Sequence, residues 1–119
     1  MEKKTIVVAG KRIELAVSNL DLRKVDGLYG GIITIEFVPE NITRPILIEA
    51  NGDMDVGWMF SGGIESYPDD YSSDRAFEEN RLERWQENNN LSPDDNSLLF
   101  TLISGFCNSA FKEVIASAY

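Results

Sequence analysis

A chain of 119 residues that is 43% hydrophobic is long enough to bury a core without metals or disulfides, and too apolar to be disordered. Eleven bases against twenty acids give a net charge of −9, which sets the surface against nucleic acid and anionic membranes. With no histidine and one cysteine, the chain by itself lacks the donors of zinc, haem and iron–sulfur sites, the usual catalytic triads and the commonest general base.

No apolar run approaches the roughly 20 residues of a membrane helix, and the N-terminal apolar stretch Ile6 to Ala9 is too short for a secretory signal. A cytoplasmic location is the expectation. Residues 5–9 (TIVVA) read as a first strand. The next run alternates strictly, with Ile13, Leu15 and Val17 facing one way and Arg12, Glu14 and Ala16 the other. Gly10-Lys11 between the two predicts a tight hairpin with a two-residue type II′ loop. Residues 19–26 (NLDLRKVD) read as a short helical turn or a crossing loop.

The strongest strand spans residues 28–38, with Ile33, Ile35 and Phe37 on one face and Thr34 and Glu36 opposite. Gly30-Gly31 at its start suggests a bulge or a close backbone approach, and this is favoured over a phosphate-binding loop because no P-loop lysine or helix N-terminus follows. Pro39, Glu40, Asn41 and Pro45 make a turn. A second hairpin, 46–50 with 54–60, is expected to turn at Asn51-Gly52-Asp53. That register sets Ala50 opposite Met54, Ile48 opposite Val56 and Ile46 opposite Trp58, which gives one apolar face. Asn51, Asp53 and Asp55 alternate as in a calcium loop, but Val56 and Gly62 occupy the positions that need glycine and glutamate, so no metal is expected.

Residues 61–73 have the composition of a loop, with Tyr67 and Tyr71 among Glu65, Asp69 and Asp70. Ser73 then offers an N-cap for a helix over 74–87, in which Ala76, Phe77, Leu82 and Trp85 form a narrow apolar stripe. Such a helix lies on the surface, and Asn88-Asn89-Asn90 ends it. Leu91, Ser92 and Pro93 lead into a final helix over 96–119. Its stripe of Leu99, Ile103, Phe106, Ala110 and Val114 runs beside a second one of Phe100, Cys107, Phe111, Ile115 and Ala118. An arc that wide predicts cover on most of the circumference, with Gly105 and its small neighbours marking where it would kink or admit another backbone. Cys107 reads as a small buried residue, because no histidine is present to activate it.

The expected fold is therefore α+β and a single domain over 1–119: an antiparallel sheet of about five strands in the N-terminal half, packed by a C-terminal apolar helix, with a second, acidic helix on the surface. The charge is uneven along it. Residues 1–64 hold nine acids and seven bases, 65–95 ten and three, and 96–119 one of each. Glu79, Glu83 and Glu87 recur at i, i+4 and i+8, and Asp74 and Glu78 form another such pair, an arrangement that costs a helix a few tenths of a kcal/mol per pair. Arg81 and Arg84 offset part of it by their spacing from Glu78 and Glu87. A solvated, solubilising face is the plain account of this pattern. The sharper one is a docking face for a basic protein, built from Glu65, Asp69, Asp70, Asp74, Glu78, Glu79, Glu83 and Glu87 with Tyr67, Tyr71 and Trp85 as anchors.

In size, charge and lack of catalytic residues the chain is similar to bacterial immunity proteins and antitoxins that inhibit nucleases, and to acidic inhibitors that mimic nucleic acid. The likeness is one of general character and no motif carries it. It implies a cytoplasmic inhibitor, without cofactor or catalytic residue, that occludes the active site of a basic partner. Two other readings stand beside it. One is a small enzyme or ligand-binding module using carboxylates in a pocket near Tyr29, Trp58 and Tyr67; the other is an assembly protein that dimerises through the last helix.

Overall fold

The computed structural model describes residues 3–25, 28–53, 57–62 and 81–118. Among the described residues five strands, β1 (Lys3–Val8), β2 (Lys11–Val25), β3 (Leu28–Pro39), β4 (Ile46–Asp53) and β5 (Gly57–Gly62), precede two helices, α1 (Arg81–Asn88) and α2 (Pro93–Ala118). The strands form an antiparallel meander in the order β1-β2-β3-β4-β5, so the fold is α+β as the alternating N-terminal half and helical C-terminal half imply.

One face of the sheet is apolar throughout. Ile6, Val8, Ile13, Leu15, Val17, Ile33, Ile35, Phe37, Ile46, Ile48 and Ala50 are buried there against Leu82 and Trp85 of α1 and Leu99, Ile103, Phe106, Cys107, Ala110 and Phe111 of α2. Helix α2 contacts β1 and β2 through its backbone neighbours, and it also reaches β5 at the other edge of the sheet through side chains. There Trp58 meets Phe111 edge-on at 5.5 Å and Phe60 meets Phe100 at 5.6 Å. At 26 residues α2 is about 39 Å long, enough to reach both edges of a five-stranded sheet about 19 Å wide. Gly31 and Gly52 are paired across β3 and β4, and a β-carbon on either would run into a neighbouring backbone carbonyl, Asp21 O or Gly57 O. The expectation of close backbone approach at Gly30-Gly31 is met in this way.

Three local expectations are corrected. The β1–β2 loop is Ala9-Gly10, with Val8 opposite Lys11. Both loop residues have positive φ, 53° and 76°, which makes the turn type I′ rather than II′ and moves it one residue earlier. Residues 19–25 continue β2 instead of forming a helical turn or crossing loop. A bulge at Ser18 shifts the register between Val17↔Ile35 and Asn19↔Thr34, and Ser18 Oγ donates to Thr34 O at 3.3 Å. The extra residue switches the inward phase from odd to even numbers, so Leu20 and Leu22 pack on the same core as Leu15 and Val17. Finally, β4 runs through Asn51-Gly52-Asp53 and pairs with β5 as Ala50↔Phe60 and Asp53↔Gly57. The turn thus falls beyond Asp53, because β4 is held on β3 as far as Gly30↔Asp53. Met54 and Val56, which were to face Ala50 and Ile48, lie outside the described residues.

Both helices are capped by their own sequence. Asn90, at φ 52°, ends α1 in a left-handed turn, with Asn90 N–H donating to Glu87 O at 3.1 Å and Leu91 N–H to Gln86 O at 3.2 Å. Ser92 and Asp95 exchange side-chain to backbone bonds of 3.1 and 3.2 Å, closing a capping box around Pro93 in the first turn of α2. Cover extends over much of the circumference of α2 and leaves one side in water. Leu98, Thr101, Gly105, Ser109, Lys112 and Ala116 are exposed, a solvent stripe of mostly small or polar residues on the side away from the two apolar rows.

Candidate functional site

Helix α1 holds the described part of the predicted acidic face. Leu82 and Trp85 turn inward, and Trp85 is only 7% exposed, edge-on to Phe37 at 5.1 Å. Trp85 is therefore a core residue and not an exposed anchor: a narrow apolar stripe on a short helix leaves its largest side chain to make the attachment. Glu83 and Glu87 point the other way and are exposed, one turn apart. Glu65, Tyr67, Asp69, Asp70, Tyr71, Asp74, Glu78 and Glu79 lie outside the described residues.

Arg81 fastens α1 to the chain between β3 and β4. Its guanidinium donates to Pro45 O at 2.8 Å and Arg44 O at 2.7 Å, so at least two of its N–H groups are directed at backbone carbonyls. Beside it, Arg84, Trp85 and Asn88 face Glu40 and Asn41 across an open groove of about 390 Å³. No ion pair to Glu83 or Glu87 occurs among the described residues.

The opposite face of the sheet was not singled out in the sequence. Glu14, Glu36 and Glu49 stand there on neighbouring strands: Glu14 pairs with Val38, Glu36 with Leu47 and Glu49 with Thr34. Each carboxylate is thus diagonal to the next. All three are outward positions of alternating strands, a signal visible in the sequence, but only the cross-strand register aligns them. Shallow grooves of about 250 and 320 Å³ run along the β1–β2 side of this face, both lined by Thr5, Glu14 and Val38.

Near the pocket expected around Trp58, the indole Nε1–H donates to Asn108 Oδ1 at 2.7 Å and the ring packs on Phe111, so that side chain is engaged with α2. The side chain of Tyr29 and the whole of Tyr67 are outside the described residues. Asn51 and Asp53, two of the three residues of the calcium-like spacing, are strand residues of β4. Among the described residues no group of acids and cysteine is arranged to hold a metal ion, and no helix is long and apolar enough to cross a membrane. Cys107 is fully buried, and burial pushes its thiol up to about 12 from an ordinary 9.0.

Comparison with protein-family models, with curated proteins and with solved structures returned no match.

Proposed function

We propose that this chain is a small inhibitory binding protein of the immunity or antitoxin kind, which neutralises a basic partner such as a nuclease toxin in a bacterial cytoplasm. The observation that supports the reading is the treatment of charge on α1. Glu83 and Glu87 are exposed at i and i+4 with no ion pair among the described residues, while Arg81 bonds the backbone of the preceding loop. The like-charge pair costs the helix a few tenths of a kcal/mol, offset in part by Arg84 three residues before Glu87, and the net charge of −9 surrounds it with a negative field. A cationic active site that holds phosphates is complementary to such a face. Covering it would exclude substrate sterically, with long-range attraction speeding the encounter.

Affinity capture from the source cell tests this. Immobilised chain is expected to retain a basic protein at low salt, and the Glu78→Gln/Glu79→Gln/Glu83→Gln/Glu87→Gln variant is expected to lose it. Retention of neutral or acidic proteins alone, or equal retention by the variant, would contradict the proposal.

A further inference from the structure

The side of the sheet turned away from both helices carries a surface of its own. We propose that it docks an amphipathic, lysine- or arginine-bearing helix of a protein partner. An antiparallel sheet with one wet face normally turns polar residues to water. Here Met59 is 79% and Val7 56% exposed, and Ile32, Val38 and Leu47 are half-buried on the same outward positions. Ile32, Asn51 and Met59 form one row across β3, β4 and β5, and Glu36 and Leu47 sit together in another. The acidic diagonal of Glu14, Glu36 and Glu49 runs through these apolar groups in steps of about 7–8 Å.

None of the three carboxylates has an ion-pair partner among the described residues. The ion pair present on this face joins Arg23 to Asp21 at 3.0 Å. Arg12 shares the outward side of β2 with Glu14, and Lys3 stands diagonal to it, so these cations flank the Glu14 end of the diagonal and leave the acidic and apolar mixture centred on β3 and β4. Charge decides the occupant. A second copy would bring another net −9 against the diagonal, whereas a helix with cations at i, i+4 and i+8 steps about 6 Å at a time and can reach all three carboxylates beside its own leucines. This surface lies across the sheet from Glu83 and Glu87, so the inference stands or falls separately from the reading of α1.

The test is an NMR titration of the isotope-labelled full chain with a synthetic amphipathic Leu/Lys helical peptide, with a scrambled peptide of equal composition as control. Saturable shifts are expected at Ile32, Glu36, Leu47, Glu49 and Met59. The Glu14→Gln/Glu36→Gln/Glu49→Gln variant should bind about tenfold or more weakly, and Glu83→Gln/Glu87→Gln within about twofold of the parent chain. Met59→Lys, at a solvent-facing position, should weaken binding too, and it serves if the triple variant does not fold. Shifts confined to α1 or spread over the whole surface, equal binding of the scrambled peptide, or undiminished binding by the variants would overturn the proposal. Concentration-dependent shifts of the same residues in the chain alone would do so as well, since they would assign the face to a second copy.

Discussion

A β-carbon added to Gly31 would meet the carbonyl oxygen of Asp21 on β2, while one added to Gly105 on α2 would meet nothing within 4 Å. The same substitution should therefore have opposite signs at the two sites. Gly31→Ala is expected to destabilise by about 2 kcal/mol or more, because the backbone of Asp21 must move to admit the methyl group. Gly105→Ala should stabilise by about 1 kcal/mol, the helix-propensity difference alone. Denaturant melts of the two variants check both; equal effects would refute the close backbone approach at Gly31. Cys107 gives a second residue-scale expectation. Its thiol ionises near 9.0 when unfolded and near 12 when folded, so its contribution is fully present below pH 9 and lost as pH rises toward 12. In that window the parent chain should lose about 1.4 kcal/mol per pH unit more steeply than Cys107→Ala. The thiol should also resist alkylation at pH 8 until denaturant is added.

At the scale of elements, α1 divides its work between two faces. Trp85→Ala should cost about 3–5 kcal/mol, since the ring is buried against Phe37. Glu83→Lys should change stability by no more than a few tenths of a kcal/mol, because loss of the like-charge pair with Glu87 is opposed by a cation in the first turn of α1. Chemical melts of both variants separate the packing face from the solvent face. These elements also show what could be read beforehand. The inward set Ile13, Leu15, Val17, Ile33, Ile35 and Phe37 was legible because strict alternation has one interpretation. The second half of β2 was not, because the bulge at Ser18 reverses the alternation and makes Leu20 and Leu22 look out of phase. The β4–β5 register was misjudged for a different reason. Asn51-Gly52 resembles a turn, yet Gly52 serves close packing between strands, and local turn chemistry gave way to pairing with β3. Of the acidic face, the outward position of Glu83 and Glu87 followed from helical spacing. The inward turn of Trp85 is legible in the same spacing, through the apolar stripe it shares with Leu82, and its burial there rules it out as an exposed anchor.

For the molecule as a whole, the sheet and α2 share the buried core, and charge is displayed on the outside. Fastening α1 by Trp85 and Arg81 leaves Glu83 and Glu87 directed at solvent from a fixed base, so little conformational entropy would be lost there on binding. The second acidic surface, on the far side of the sheet, is carried by strands rather than by a helix and is equally well supported from behind. The central claim is that this net charge steers a basic partner to the acidic face of α1. The most direct measurement is the association rate constant with the captured partner as ionic strength is raised from about 50 to about 500 mM. A fall of about tenfold or more, with dissociation changing much less, is the result the account predicts. A rate that stays level over that range, or one that falls equally for the variant lacking the α1 carboxylates, would contradict it.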